Sequence, residues 1–359
     1  MFLKNEVIFE VILKNKKYIR IILGVIAIFI LCICICIFIN KKRLEMEKNT
    51  DVSNSIYAIT IKENVVLYKK AKKSNFQKIF DVEEGTDTYI LEKIVNNNES
   101  WYKVKCNDRI GYILEENLDY FKPSNAEYVL MSDVSKFNVQ FKSFETSKDY
   151  KLFLIKNDIN YVYIRAGGRG YGKEGKFYTD KHFKIFIDAC EYLKIPYGFY
   201  YIDEAINSEE IDEEVEFIKN FIENNATSMH KLPLAIDIET HDGAGRADDI
   251  WKERAFLAEE LVQKFNNIGI NNIIYSNAIT ANDYLSIVNA NFWIAYYPKM
   301  NKIPDFWYTD TEQEPTENLE FMEKVIAWQF TENGVENQIK EKVDINLVRN
   351  SFFKNFLQK

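Results

Sequence analysis

Polar and apolar residues are unevenly distributed along the chain. Ile21 to Ile39 is a run of nineteen residues without a charged or strongly polar side chain. A helix needs about 20 such residues to cross a hydrocarbon core of roughly 30 Å. The run therefore predicts a transmembrane helix over 18–40, preceded by an N-terminal segment 1–17. A cleaved signal peptide would carry an apolar core of about 7–15 residues and a small-residue cleavage site. Here the run is longer, and Asn40-Lys41-Lys42-Arg43 follows it directly. Residues 41–54 are polar and lack hydrophobic periodicity, which reads as a linker.

From Ile56 the pattern changes to short β-rich runs: Tyr57–Ile61, Val65–Tyr68, Thr88–Ile94, Trp101–Lys105 and Gly111–Leu114. Turn-like clusters, Glu83-Glu84-Gly85 and Asn96-Asn97-Asn98, separate them. Short strands at this spacing predict a small all-β barrel over 55–122. Beyond Pro123 strands and helices alternate over 126–359. The predicted strands are Tyr128–Ser132, Tyr161–Arg165, Tyr197–Tyr201, Leu234–Ile238, Ile273–Ser276, Phe292–Tyr296 and Val325–Phe330. The predicted helices are Phe177–Leu193, Ile211–Asn224, Trp251–Asn267 and Ala278–Ile287. Such alternation implies a parallel sheet with crossover helices, and the number of units fits a closed parallel β/α barrel of the TIM-like kind. The fold class is α/β, with the small β barrel and one transmembrane helix in front.

Composition narrows the chemistry. The net charge is −8, from 46 Lys and Arg against 54 Asp and Glu. A nucleic-acid binder needs a dominant basic surface to neutralise phosphates, so nucleic acid is excluded as a partner. Of five cysteines, Cys32, Cys34 and Cys36 lie inside the apolar run, and Cys106 and Cys190 stand alone, so there is no disulfide framework. The histidines are His182, His230 and His241, without the Cys/His spacing of a zinc site. No metal and no cofactor is expected. Lys69, Lys70, Lys72 and Lys73 form a basic cluster that reads as a solvated loop.

The polar residues fall at predicted strand ends. Asp133 closes the first strand, Arg165 the second, Asp203 follows the third, Asp237 and Glu239 close the fourth, Tyr297 follows the sixth, and Gln329 lies near the end of the seventh. In β/α barrels the strand C-terminal ends form the active-site face. Asp237-Ile238-Glu239 is the sharpest motif. Alternate strand residues point the same way, so both carboxylates face the barrel mouth. Two acids held close push their pKa values apart, so that one keeps its proton near neutral pH. Glycoside cleavage needs such a pair: a proton for the leaving oxygen and a negative charge against the developing cation. Alone, the motif serves equally to bind a metal ion or to pair with Arg165.

Two resemblances follow from ordered motifs. Gly85 before a strand, then Trp101-Tyr102-Lys103-Val104, then Gly111-Tyr112-Ile113, resembles a bacterial Src-homology-3-like domain over about Ser55 to Lys122. Such domains often bind peptidoglycan peptides; the module serves equally as a spacer. The second set runs through the barrel: Asp133-Val134-Ser135, Ile164-Arg165-Ala166-Gly167, Tyr197-Gly198-Phe199-Tyr200, Leu232 to Glu239, Ile274-Tyr275-Ser276, Trp293 to Tyr297, Trp328-Gln329-Phe330-Thr331 with Gly334, and Val343-Asp344-Ile345-Asn346. From Tyr128 to about Asn346 the chain resembles glycoside hydrolase family 25, the Chalaropsis-type lysozymes. One departure stands out: where the family often has Gln-Gly soon after Asp-Val-Ser, this chain reads Lys136-Phe137-Asn138-Val139.

The family resemblance implies N-acetylmuramidase activity on the β-1,4 bond between N-acetylmuramic acid and N-acetylglucosamine. It implies Glu239 as general acid/base, and Asp237 as the residue that stabilises the charged intermediate or orients the substrate acetamido group. Asp133 and Asp344 complete the acidic site. Tyr200, Trp293, Tyr297 and Trp328 are implied to shape the sugar groove, with Arg165 and Gln329 as further substrate-binding positions. The implied partners are peptidoglycan glycan strands, the cytoplasmic membrane through residues 18–40, and envelope machinery such as a secretion or conjugation complex. Basic residues flank the apolar run on both sides, so charge barely biases its orientation. The implied activity places residues 1–17 in the cytoplasm and the barrel outside, in a Gram-positive-type envelope. Two other readings stay open: a catalytically inactive peptidoglycan-binding scaffold, and a metal-dependent hydrolase, which the shortage of histidines disfavours.

Overall fold

The structure is a computed structural model and describes residues 2–239, 245–247, 250–298, 302–305, 307, 319–336 and 338–358. His241 lies outside the described residues. Contacts divide the chain into two units: Met1–Ile56 with Val66–Asp81 and Thr88–Leu114, and Tyr57–Val65 with Val82–Asp87 and Glu115–Lys359.

The first unit begins with one continuous helix, α1 (Phe2–Lys48). It carries a stretch, Arg20–Lys48, that is long and apolar enough to cross a membrane, with none of its most apolar window buried in the protein. The helix runs through residues 41–48, where polarity had indicated a linker. Local pairing explains the extension. Arg43 Nε donates to Glu47 Oε1 at 2.7 Å across one turn. Lys105 Nζ donates to the carbonyls of Lys48 (2.7 Å) and Thr50 (3.0 Å), covering acceptors that a helix end leaves open. After β1 (Ile56–Thr60) come β2 (Val65–Tyr68), β3 (Lys78–Val82), β4 (Asp87–Asn96), β5 (Glu99–Cys106) and β6 (Arg109–Leu114). Strands β2 to β6 lie side by side in the order β3-β2-β6-β5-β4, with β4, β5 and β6 an antiparallel meander and β2 antiparallel to β6. Its tight turns use left-handed residues, Asn97-Asn98 and Asn107-Asp108, as two-residue hairpins require. Trp101 is fully buried and meets Tyr68 edge-on at 5.7 Å.

The second unit contains a short pair, β1 with β7 (Leu118–Asp119), and the large barrel. The barrel elements are β8 (Tyr128–Val134), α2 (Lys136–Gln140), α3 (Ser147–Lys156), β9 (Ile159–Arg169), β10 (Phe177–Thr179), α4 (Phe183–Leu193), β11 (Tyr197–Ile202), α5 (Ser208–Asn225), β12 (Leu234–Asp237), α6 (Trp251–Asn267), β13 (Asn272–Asn277), α7 (Ala278–Thr280), β14 (Phe292–Ala295), α8 (Leu319–Lys324), β15 (Val325–Thr331), β16 (Asp344–Arg349) and α9 (Asn350–Leu357). Their order is β10-β9-β11-β12-β13-β14-β15-β16-β8, and β8 closes on β9.

The result is mixed α/β with a barrel core, but not an all-parallel barrel. Strand β16, which the periodicity did not single out, runs antiparallel to both β15 and β8. A parallel strand needs a long crossover, usually a helix. Residues 332–336 and 338–343 belong instead to a return in which Gly334 N donates to Val343 O at 2.9 Å. Gly334 has φ +69°, and a Cβ there would lie 2.4 Å from the Glu341 carbonyl oxygen. The predicted helix over Phe177–Leu193 also divides. Phe177–Thr179 is β10, paired antiparallel with Gly167–Arg169, and the helix starts only at Phe183. Gly167 permits that pairing: its φ is +150°, and a Cβ would sit 1.9 Å from the Tyr178 carbonyl oxygen.

Alternation along the strands divides the core. One cluster, containing Ile164, Phe199, Ile236, Ile238, Ile274, Ile294, Trp328 and Ile345, packs with helix residues such as Phe186, Leu261 and Phe265. The other, containing Met131, Tyr163, Ala235, Ile273, Trp293, Ala327, Val348 and Phe353, is the apolar filling of the barrel.

Candidate active site

Two residues further along each strand from this filling, the side chains on the same face become polar. Met131 gives way to Asp133, Tyr163 to Arg165, Ala235 to Asp237, Ile273 to Tyr275, and Ala327 to Gln329. On the reversed strand β16, Val348 gives way to Asn346 and then Asp344. The polar layer therefore follows from the period of two in extended chain. Glu239 continues the set past Asp237, and the intervening Ile238 is buried in the helix-side cluster. The backbone that presents the pair is fixed: Ile238 N donates to Tyr275 O (2.9 Å), and Ser276 Oγ donates to Ile238 O (2.6 Å).

Asp133 and Asp344 stand directly opposite one another in the β8–β16 register and share a hydrogen bond. Asp133 Oδ2 accepts from Gln329 Nε2 (3.0 Å) and Asn346 Nδ2 (2.8 Å). Gln329 Oε1 in turn accepts from the hydroxyls of Tyr275 (2.8 Å) and Tyr297 (2.5 Å). Asn346 Oδ1 accepts from Trp293 Nε1 at 2.6 Å. The acidic layer is thus wired down into the aromatic filling below it.

The carboxyls hold protons more tightly than ordinary ones. Burial pushes Asp133 up to about 6, against the hydrogen bonds from Asn346 and Gln329 that favour its charge. Burial, then the charge of Asp133, holds Asp344 well above the usual range. Burial, then the charge of Glu239, does the same to Asp237, while Arg165 opposes it. Like charges crowded in a poorly solvated site cannot all ionise together. Glu239 is itself half-buried.

Arg165 is 5 % exposed, and its Nε donates to Asp180 Oδ2 at 2.9 Å. Asp180 also accepts from the backbone of Lys136 (2.8 Å) and His182 (2.9 Å), tying β9, α2 and the start of α4 together. Tyr200 is half-buried, with Arg165 and the carboxylates of Asp133, Asp344 and Asp237 in its electrostatic surroundings. Tyr297 is 46 % exposed and borders a cavity of about 170 Å³ with Pro298, Phe330, Thr331, Glu332 and Val335.

Other expected positions lie elsewhere. Trp293 and Trp328 are 1 % and 0 % exposed and offer no face to a groove. Trp293 belongs to the filling below the acids. Trp328 neighbours Gln329 in sequence, so it points the opposite way, into the helix-side cluster, where its Nε1 donates to Tyr296 O at 2.8 Å. Asp203 turns away to pair with Arg254 at 2.8 Å, both being buried. His230 is packed on the Phe199 ring, with centroids 4.8 Å apart, and burial pushes its imidazole down to about 4.

Sequence reasoning missed Asn346, Tyr275 and Asp180 as site residues. The first two lay within quoted motifs, in phase with the acids; Asp180 carried no local signal. It also missed Tyr178 and Tyr171, whose phenols burial pushes up and whose next influences include the charge of Asp237. The departure at Lys136-Phe137-Asn138-Val139 forms α2. Ser135 caps it, and Asn138 Oδ1 accepts from Ser135 N at 2.8 Å in a capping box. Phe137 lies beneath the Arg165 guanidinium at 4.9 Å and stacks on Phe141, both rings being exposed.

Among solved structures, the chain is similar to the modular autolysin LytC from Streptococcus pneumoniae in complex with synthetic peptidoglycan ligand, with 17% identity and a TM-score of 0.45 over 80% of this chain and 57% of that one. It is similar to the spore cortex lytic enzyme SleM from Clostridium perfringens, with 18% identity and a TM-score of 0.48 over 65% and 71% of the two chains. The bacterial lysozyme from Streptomyces coelicolor gives 15% identity and a TM-score of 0.41 over 65% and 100%. The matched part spans just over half the length of the pneumococcal autolysin. No curated protein matches the chain. The family model for glycosyl hydrolases family 25 matches residues 132–339, more than half of the 359 residues, from within β8 into the return before β16, and the chain belongs to that family.

Proposed function

We propose that the barrel, residues 126–359, is an N-acetylmuramidase that hydrolyses the β-1,4 bond between N-acetylmuramic acid and N-acetylglucosamine in peptidoglycan. The observation that carries this reading is the convergence of Asp133, Asp237, Glu239 and Asp344 on one polar layer at the barrel mouth. Glu239, the more exposed of the central pair, acts as general acid and then general base. Burial and then the charge of Glu239 hold Asp237 well above the usual range, so the two acids do not readily ionise together. Ionised, Asp237 stabilises the developing oxocarbenium ion, or it orients the substrate acetamido group as the nucleophile. Asp133 and Asp344, joined by a direct hydrogen bond, complete the acidic site. Arg165, Tyr200, Tyr297 and Gln329 border the sugar path.

The helix over 18–40 is proposed to anchor the chain in the cytoplasmic membrane, with residues 1–17 inside. The module over 55–122, read as Src-homology-3-like, and the barrel lie outside. A tethered enzyme cuts only within the reach of its anchor, which suits local wall opening beside an envelope-spanning secretion or conjugation complex.

Full-length chain in neutral detergent, incubated with purified peptidoglycan, releases soluble muropeptides with muramic acid at the new reducing end. Glu239→Gln lowers that rate about 10²–10⁴-fold with an unchanged melting temperature. Binding to the wall without any cleavage by folded wild-type protein refutes the assignment and leaves a scaffold.

A further inference from the structure

A second cavity lies within the first unit, where α1 meets β5 and β6. It has a volume of about 450 Å³ and is lined by Phe38, Ile39, Lys42, Arg43, Met46, Glu47 and Thr50 on the helix side and by Lys103 and Ile110 on the strands. That volume lies in the range of small-molecule sites. The corner is held rigidly. Glu47 is 5 % exposed, its two carboxylate oxygens accept from Arg43 and Arg109 at 2.7 Å each, and Lys105 caps the helix end.

The lining has an amphiphilic order along α1. Phe38 and Ile39 are the last residues of the apolar run, and Lys42 and Arg43 follow one turn later. Three cations stand against one carboxylate, and that carboxylate is engaged by Arg43 and Arg109. Among the described residues, Lys42 and Lys103 have no carboxylate partner. Apolar wall on the membrane side and free ammonium groups one turn beyond is the arrangement that a phospholipid presents in mirror image: acyl chain, then phosphate.

We propose that this cavity binds one anionic membrane phospholipid, its phosphate between Lys42 and Lys103 and its acyl chain along Phe38 and Ile39. The site rests on the reading of residues 18–40 as a membrane span, since that reading puts the cavity at the headgroup level. A bound lipid would hold the β module against the membrane surface and fix the direction in which the chain leaves it.

The test uses full-length chain in neutral detergent, supplied with equal amounts of phosphatidylglycerol and phosphatidylcholine, with retained lipid counted by native mass spectrometry. Wild type retains phosphatidylglycerol in preference to phosphatidylcholine. Lys42→Gln and Lys103→Gln each lower that preference about fivefold. Lys69→Gln/Lys70→Gln, which removes from an exposed loop as much charge as the Lys42→Gln/Lys103→Gln double variant removes from the cavity, leaves it unchanged. Equal retention of the two lipids by wild type overturns the proposal, as does full preference in the Lys42→Gln/Lys103→Gln double variant. Release of the lipid by an equal concentration of inorganic phosphate overturns it too, because a free anion would then suffice. Flotation with phosphatidylcholine vesicles separates the two readings. A chain that floats without preferring phosphatidylglycerol keeps its anchor and loses this site; a chain that does not float loses both.

Discussion

Replacing Asp133 by Asn tests whether burying the acid layer costs stability once it ionises. In the fold Asp133 holds its proton up to about 6, against an ordinary aspartate value of 3.8. Below pH 4 the group is protonated whether the chain is folded or not, and the two forms cost the same. Between pH 4 and 6 the unfolded chain ionises and the folded one does not, so stability falls as pH rises. Above pH 6 the loss is complete, and the difference corresponds to about 3 kcal/mol. Asn keeps an acceptor for Gln329 and Asn346 and supplies a donor toward Asp344, so the change removes charge with little loss of hydrogen bonding. The variant should therefore be more stable than wild type at pH 7.5 and equal to it at pH 4. For a domain of this size about 1 kcal/mol moves the melting temperature by roughly 2–4 °C, so a rise of roughly 6–12 °C is expected at pH 7.5. Thermal unfolding of full-length chain in neutral detergent, followed by the fluorescence of the buried Trp293 and Trp328, measures it, and muropeptide release should fall sharply in the same variant. A melting temperature unchanged at pH 7.5, or a gain larger at pH 4 than at pH 7.5, would refute the argument that the buried charge of Asp133 costs this layer stability.

Gln329→Met removes a donor to Asp133 worth about 1.5–3 kcal/mol and a brace for Tyr275 and Tyr297. Asp133 then holds its proton more tightly, so the acidic limb of the rate profile should move to higher pH; an unmoved limb would contradict the wiring. Gly167→Ala drives a methyl into the Tyr178 carbonyl and should cost about 2–5 kcal/mol, read as a lower melting temperature, whereas a neutral result would mean that β10 is not held as described. Arg165→Ala leaves Asp180 buried without its cation, an expected loss of about 3–5 kcal/mol that Arg165→Ala/Asp180→Ala should partly restore. Trp293→Phe strands Asn346 at about 1–3 kcal/mol. It should leave KM for wall fragments within about twofold, because the ring lies below the site, and a large rise in KM at unchanged stability would restore it to the groove.

The sequence marked the barrel strands well because buried strands alternate with amphipathic helices, and each element has a period of its own. It lost β16 because a return without a helix breaks that alternation, and the only local sign was Gly334, whose meaning depends on the carbonyls of Ile339 and Glu341 around it. It lost β10 for a similar reason. Phe177 and Tyr178 are an aromatic pair shortly before a true helix, and only the absence of a Cβ on Gly167, eleven positions before Tyr178, allows them to pair as a strand. The four acids could be named from motifs, but their number says nothing about protons. Burial raises Asp133, and burial and then the charge of Asp133 raise Asp344; the antiparallel register that sets the two face to face is a property of the strand direction the periodicity missed.

The two tryptophans show where motif and geometry part. Trp293 and Trp328 sit in stretches that resemble the family, and an aromatic ring near a sugar site invites a stacking role. Strand phase decides otherwise. Residue 329 faces the mouth, so residue 328 cannot; residue 293 faces the lumen, but one layer too deep. The exposed rings arise instead from the segment that departs from the family. Asn138 reaches back to Ser135 in a capping box, residues 136–140 form a short helix, and that segment presents Phe137 and Phe141 outward beside Arg165. An aromatic face next to a guanidinium is a fitting surface for the apolar side of a sugar ring carrying an anionic substituent. Phe141→Ala removes a ring that is 70 % exposed and makes no core contact, so stability should hold while KM for glycan strands rises several-fold and kcat stays level. A fall in kcat with unchanged KM would instead place this helix in the support of the acids, because α2 also donates Lys136 N to Asp180 and so reaches Arg165.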